Sequence, residues 1–401
     1  MTESSIFFYI LLLVALAAGW ALAQVSLKSK YRSNRSVNDF YNDYFVGLNY
    51  LLGDEPDEAI DTFISALEIN DDTVETHLAL GTLLRRRGKV DKAIKVHQSL
   101  LARSDLVREF SDLVQLELSN DYISAGLLDR AEHLAQELLR ESDGVRPDAL
   151  LQLTTIYQIE REWEQAITSV KALLEIPNFK KDESIKSLAA HFCCELAEQA
   201  ISDEQPQQAR DQIKRAFRFD RSSARASFLM AKLEQLTNNP QKAIKELLRI
   251  RHQHPHFISE IIGPMAECYR HSAKPDETIK FEKFLRECLD DRFRVSVLLK
   301  LVELVRKREG DTAAAELLST RLSQHPSLKG TVALLQSHID ETDGKLHLDL
   351  KLIEDVLNKL SQSKPGYQCD HCGFETKNLY WQCSSCKKWD SVKPRLGLEG
   401  E

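Results

Sequence analysis

The feature that most restricts how this chain can fold is a repeat. Gly47 and Ala59 recur 34 positions on as Gly81 and Ala93, with Gly53-Asp54 answered by Gly88-Lys89. A period of that length is one helix-turn-helix unit. The same small residue, placed early in a second helix after a turn, begins in DEPDEAID (residues 54–61) and GKVDKAIK (88–95). It continues through GLLDRAEH (126–133), REWEQAIT (161–168), EQPQQARD (204–211), NNPQKAIK (238–245), AKPDETIK (273–280) and a degenerate GDTAAAEL (310–317). The anchors Ala59, Ala93, Ala131, Ala166, Ala209, Ala243, Thr278 and Ala314 are spaced 34, 38, 35, 43, 34, 35 and 36, so a few copies carry loop insertions. A small side chain there lets two antiparallel helices approach closely, while Tyr50, Leu84, Tyr122, Tyr157 and Tyr269 fill the space around them.

Composition agrees with an all-α chain. Only 15 of 401 residues are Gly, about half the usual share of roughly 7%, which leaves few tight turns for a many-stranded sheet. The formal charge of −8 argues against nucleic acid as the main partner.

The pattern resembles tetratricopeptide repeats, with small residues at Gly47 and Ala59, Phe63 and Ala66 in a second helix, and helix-ending prolines at Pro255 and Pro326. That resemblance implies an α-solenoid of eight or nine repeats over residues 37–360, in which stacked helix pairs form a right-handed superhelix. Its concave face would be lined by the first helix of each pair and would serve as a protein-binding groove. The groove positions are then Glu75, Leu78, Thr82, Arg85 and Arg86, followed by Asn120. The alternative for Arg85-Arg86-Arg87 is a solvated charge run.

Residues 6–23, IFFYILLLVALAAGWALA, carry no charge, and as a helix would extend about 27 Å, close to the thickness of a bilayer core. Ala21-Leu22-Ala23 before Gln24 offers a signal-peptidase site as the rival reading. Glu3 without any Lys or Arg precedes the run, whereas Lys28, Lys30, Arg32 and Arg35 follow it. This favours a transmembrane anchor over residues 1–25, a basic juxtamembrane segment over 26–36, and a cytoplasmic location for everything beyond.

After a linker at residues 361–366 come Cys369-x2-Cys372 and Cys383-x2-Cys386. Each CxxC turn can point two sulfurs at one ion, and two turns complete an S4 shell suited to zinc or iron. A module of residues 367–390 is too small to fold on its own core, so one bound ion would supply much of its stability. Tyr367, Phe374, Tyr380, Trp381 and Trp389 are available to pack around it, and residues 391–401 read as a tail. Gly373 follows the first pair as in rubredoxin knuckles, but Lys387 follows the second, so a structural or recognition role is expected rather than electron transfer. Cys193, Cys194, Cys268 and Cys288 read as small buried hydrophobes, and His252, His254 and His256 as a surface turn where a copy ends.

No GxGxxG, GxxxxGK[ST], HExxH or GxSxG occurs, so the expectation is a protein that is not an enzyme. One apolar helix, a tetratricopeptide array and a terminal four-cysteine knuckle, in that order, resemble the lipopolysaccharide assembly protein B family of Gram-negative bacteria. The resemblance covers the whole chain. It implies a single-pass adaptor of the bacterial inner membrane whose partners are a membrane-bound AAA+ protease, the lipid A deacetylase that the protease degrades, lipopolysaccharide-synthesis enzymes and an inner-membrane lipopolysaccharide sensor. Two other classes share parts of this plan. One is a metal-dependent redox or iron-sensing protein; the other is a membrane-tethered co-chaperone scaffold, in which the knuckle would not be expected.

Overall fold

The computed structural model describes residues 74–104, 106–272, 275–339 and 342–401. The apolar run, the basic segment and the first repeat, with Gly47, Tyr50, Ala59, Phe63 and Ala66, lie outside them. Among the described residues no helix is long and apolar enough to cross a membrane.

Sixteen α-helices follow one another in eight pairs among the described residues. They are α1 (Val74–Arg86) and α2 (Val90–Leu101); α3 (Arg108–Ser124) and α4 (Leu128–Glu141); α5 (Arg146–Glu160) and α6 (Trp163–Glu175); and α7 (Glu183–Ser202) and α8 (Pro206–Phe219). Then come α9 (Ala224–Leu236) and α10 (Pro240–Gln253); a 3₁₀ turn (Pro255–Phe257); α11 (Ile258–Ser272) and α12 (Pro275–Asp291); α13 (Val295–Glu309) and α14 (Asp311–Gln324); and α15 (Leu328–Ile339) and α16 (Gly344–Ser363). The chain divides into two compact units, Met1–Ile156 and Tyr157–Glu401.

One local device makes most of the pairs. The residue ending the first helix adopts the left-handed conformation at Gly88, Gly126, Arg161, Glu204 and Asn238, with φ between 57° and 77°. The next residue donates its N–H back five positions, Lys89 to the Leu84 carbonyl, Leu127 to Tyr122, Glu162 to Tyr157, Gln205 to Ala200 and Asn239 to Glu234, at 2.8–2.9 Å. This is a Schellman closure, which satisfies carbonyls the helix end would otherwise orphan. Glycine adopts that backbone freely at positions 88 and 126, whereas Arg161, Glu204 and Asn238 do so at a small steric cost.

Past each turn the small residue is buried as expected. Ala93, Ala131, Ala166, Ala209, Ala243 and Ala314 are all fully inaccessible, and Leu84, Tyr122 and Tyr157 are buried with them. Thr278 breaks the rule. It is exposed, and the buried face of α12 runs instead through Glu277, Phe281, Phe284, Leu285 and Cys288, one position out of the register of the other copies. Cys193, Cys194, Cys268 and Cys288 are all buried; chiefly through burial, the first two thiols are pushed up to about 12 and Cys288 up to about 11, so they are inert small hydrophobes.

Within the first unit, Gly81 of α1 is a close-approach position: a Cβ built there would lie 2.2 Å from the His97 imidazole of α2. His97 Nδ1 in turn meets Asp121 Oδ2 of α3 at 2.5 Å, both side chains inaccessible, and Arg85 Nη1 donates to Asp121 Oδ1 at 2.7 Å. Three helices therefore share one polar knot that tolerates no added bulk. Gly81→Ala is expected to displace His97 and cost about 1–3 kcal/mol by overpacking, read as a lowered denaturant midpoint. Gly88→Ala, whose Cβ would meet nothing within 4 Å, should cost only the roughly 1 kcal/mol of its left-handed backbone.

Candidate metal centre and its seat on the repeats

After α16, which continues to Ser363, the backbone changes character. Strand β1 (Tyr367–Cys369) lies between β2 (Glu375–Thr376) and β3 (Val392–Pro394), antiparallel to both. Cys369 pairs with Val392, so the ribbon extends beyond residue 390 and the segment read as a tail supplies one of its three strands.

Two knuckles carry the cysteines. In the first, Gly373 N–H donates to the Cys369 carbonyl at 2.9 Å and Cys369 N–H to Phe374 at 2.8 Å; in the second, Lys387 donates to Cys383 and Cys383 to Lys388, both at 3.0 Å. Gly373 (φ 75°) and Lys387 (φ 58°) occupy equivalent left-handed positions, so the knuckles are alike in backbone although not in residue. Together they bring the four sulfurs of Cys369, Cys372, Cys383 and Cys386 within 4.8 Å of one another.

The fit to a metal ion is geometric. Cys369 and Cys386 sulfurs are 3.7 Å apart, as are those of Cys372 and Cys383. A tetrahedral shell with metal–sulfur bonds of about 2.3 Å places neighbouring sulfurs about 3.8 Å apart, whereas a disulfide needs about 2.05 Å. All four are free thiols set for one ion. The Cys369 thiol is drawn down to about 6: burial opposes its ionisation, but the Ser391 hydroxyl at 3.3 Å and the N–H groups of Cys372 and His371 outweigh that. Thiolate is the form a metal takes.

Sequence alone missed what the ribbon's aromatic side chains do. Trp381 and Trp389 turn away from the cysteines and onto the helices of the second unit, while Tyr380 and Phe374 stay exposed. Trp389 stacks on His191 of α7 at 4.8 Å between ring centroids and 19° between planes, and meets Trp163 and Phe192 edge-on at 6.5 and 6.1 Å. Its Nε1 donates to Gln158 Oε1 at 2.8 Å, and the Arg225 guanidinium lies 5.4 Å from its ring centre. Trp381 packs on Phe228 and Phe257 at 5.6 and 5.1 Å. The signal was present in principle, because a ribbon of this size cannot bury that many large rings in itself.

The histidine turn takes part in the same seat. His254 Nε2 meets Asp390 of the ribbon at 3.0 Å, so the expectation of a plain surface turn is corrected: the turn after α10 is a docking point. Burial raises the Asp390 carboxyl, but His254 and Lys393 hold it below the usual range. Tyr367 donates to Glu260 of α11 at 2.7 Å, and Lys393 lies 4.8 Å over the Phe257 ring. Beyond β3 the chain stays docked: Leu328 N–H donates to Leu398 at 2.9 Å, and Ser296 Oγ and Lys329 Nζ reach the Glu401 carboxylate at 2.6 and 3.1 Å.

The expected groove residues are distributed differently. Glu75 and Arg86 are exposed on α1 and Leu78 is half-buried. Thr82 donates to Glu117 at 3.0 Å, and Arg85 is held by Glu117 and Asp121 at 2.6 and 2.7 Å. Arg85 is therefore part of a built network rather than a solvated run. Only Arg85 and Asn120 of the six line a cleft of about 440 Å³, with Ile123, Leu151, Gln152 and Thr155. Gln152 donates to the Leu116 carbonyl at 2.7 Å while its own Oε1 is buried without a partner.

Two comparisons bear on the parts. A family profile described as rubredoxin metal binding domain matches residues 367–394, and one described as tetratricopeptide repeat matches residues 76–109. Over nearly the whole chain the sequence is similar to lipopolysaccharide assembly protein B of Escherichia coli K12, 34% identical over 393 residues and covering 98% of each chain. The protein of the same name from Haemophilus influenzae Rd is 31% identical, covering 96% of this chain and 97% of that one. A solved tetratricopeptide repeat protein from Parabacteroides merdae superposes with a TM-score of 0.35 at 12% identity, over 67% of this chain and 99% of that one.

Replacing Cys383 by Ser should abolish binding of one metal per chain and unfold the ribbon, with helical circular dichroism little changed; retention of stoichiometric metal would contradict this. Trp389→Ala should keep the metal but lose on the order of 3 kcal/mol of seating, read as protease sensitivity of the ribbon. Burial, reinforced by Arg225, lowers the His191 pKa from 6.5 to about 3, so the folded ring resists a proton that the unfolded chain accepts. Stability of the second unit is then full above about pH 6.5 and declines as pH falls towards 3, with a shallower decline in His191→Phe.

Proposed function

Because the chain belongs to the lipopolysaccharide assembly protein B family, we propose that it is a non-catalytic, membrane-tethered adaptor controlling lipopolysaccharide synthesis. In this role residues 6–23 hold the repeats at the cytoplasmic face of the inner membrane. The repeats present the lipid A deacetylase to a membrane-bound AAA+ protease, gather synthesis enzymes, and respond to an inner-membrane sensor of lipopolysaccharide. Confining adaptor and protease to one plane raises the effective concentration of one partner near the other, and no bond-making group is needed.

The observation that carries this reading is how the two units differ. In the second unit the ribbon itself sits on α7, α9 and the turn before α11. In the first unit the cleft lined by Asn120, Ile123, Leu151 and Gln152 combines apolar flanks with amide groups, and Arg85, Glu117 and Asp148 add charge at its walls. A face of that kind suits a peptide segment, whose main chain needs hydrogen-bond partners and whose side chains need apolar contact. The metal, iron or zinc, then acts structurally by keeping the ribbon seated.

Leu151 is 38% exposed, so Leu151→Glu should fold normally and keep its metal while charging the cleft. Affinity capture of the full chain from membranes should then lose the deacetylase or the protease, with deacetylase accumulating at least severalfold. A variant that restrains deacetylase as well as the parent would sink the assignment of the cleft. Deleting residues 1–25 should leave a folded protein with weakened restraint; full restraint would remove the anchor from the mechanism.

A further inference from the structure

The last helix breaks the habit of a solenoid end. A terminal repeat ordinarily turns a polar outer face to water, yet α16 has no buried residue and carries Leu346, Leu348, Leu352, Ile353, Val356 and Leu360 at 46–67% exposure. At 3.6 residues per turn these six occupy one stripe roughly 160° wide. The opposite side meets α15, where Gln336 donates to Glu354 at 2.8 Å. The stripe is thus a mainly apolar face, with Lys345, Asp349 and Lys359 among its leucines, left over after the repeat has packed.

The central ridge of this stripe reads the same from both ends, although Leu346 and Ile353 have Gln362 and Asp355 at their mirror positions. Leu348, Leu352, Val356 and Leu360 are spaced by four and are symmetric about residue 354, which makes them an i±4n ridge of the kind that interlocks with another. Asp349 and Lys359, both exposed, are symmetric about the same point. In an isologous two-fold contact, residue i of one copy faces the mirror position of the other. Two antiparallel copies of α16 crossing at residue 354 therefore set Leu348 against Leu360, Leu352 against Val356, and Asp349 against Lys359, each twice. We propose that this stripe is the surface through which two copies of this chain associate, α16 against α16.

A lipid surface fits the stripe less well. Interfacial helices carry a basic polar face and frequently Trp or Phe. In α16, Lys345, Lys351 and Lys359 are balanced by Asp349, Glu354 and Asp355, there is no aromatic residue other than His347, and Asp349 lies within the stripe itself. A single pair of 20-residue helices falls at the low end of stable interface sizes, about 1,200 Å² or less, so the association should be concentration-dependent.

The experiment measures the mass of the full chain in detergent across a concentration series by light scattering. The parent should pass from monomer to dimer. Leu352→Glu should remain monomeric, and Asp349→Lys, which sets lysine against lysine twice, should weaken dimerisation by roughly tenfold or more. The double exchange Asp349→Lys with Lys359→Asp should restore it to near the parent value. All these side chains are exposed, so circular dichroism should be unchanged throughout. A parent that stays monomeric, a dimer indifferent to both single substitutions, or a double exchange that restores nothing overturns the proposal. So does a stripe whose substitution releases the chain from anionic vesicles without changing its mass. Mass alone is read, so the outcome is independent of the adaptor role.

Discussion

A pair of helices about 34 residues long has two broad faces to bury and only one internal contact with which to bury them. Everything else in this chain follows from that deficit, because each pair is stable only when the next pair covers it. Two local features make the stacking possible: the Schellman turn that reverses the chain after Leu84, Tyr122, Tyr157, Ala200 and Glu234, and the inaccessible alanine that lets the returning helix come close. Where these weaken, as at Thr278, the buried face shifts by one residue and the core is rebuilt from Phe281, Phe284 and Leu285.

The ribbon meets the same deficit at a smaller scale. Its own buried cluster is Cys369, Cys383 and Val392, too little to fold a module of this size. It draws on two outside sources, a shell of four thiolates suited to one ion and a seat on the repeats. The two are connected, since Trp389 and Asp390 follow directly on the knuckle that holds Cys383 and Cys386. Bound metal that orders this knuckle also presents Trp389 to His191 and Gln158, and Asp390 to His254. Metal binding therefore favours the seating of the ribbon on the second unit's repeats.

This seat also separates the surfaces that remain for partners. Rings and charges that would otherwise line the second unit's helices are taken up by the chain itself, so Arg225 is shielded by Trp389 and paired with Glu195 at 2.7 Å. The cleft beside Asn120, lined by apolar, amide and charged groups, and the largely apolar stripe on α16 are left facing solvent. One suits an extended peptide, and the other suits a copy of itself.

Much of this was legible in the residue order. The period, the alanines, the turn residues and the CxxC pairs are local signals, because a Schellman turn or a metal knuckle is made by residues within six positions of one another. They identified helix pairs, buried thiols such as Cys193, and the four ligands Cys369, Cys372, Cys383 and Cys386 before any coordinates. What the sequence could not decide was where distant surfaces meet. That Trp389 would leave its own ribbon for His191, that His254 would become a docking point, that residues 392–394 would form a strand and that Arg85 would be absorbed by Glu117 and Asp121 all depend on segments brought together from 23 to 231 positions apart. Such contacts are chosen by which complementary faces remain unburied once the local elements exist, and only the tertiary structure determines that.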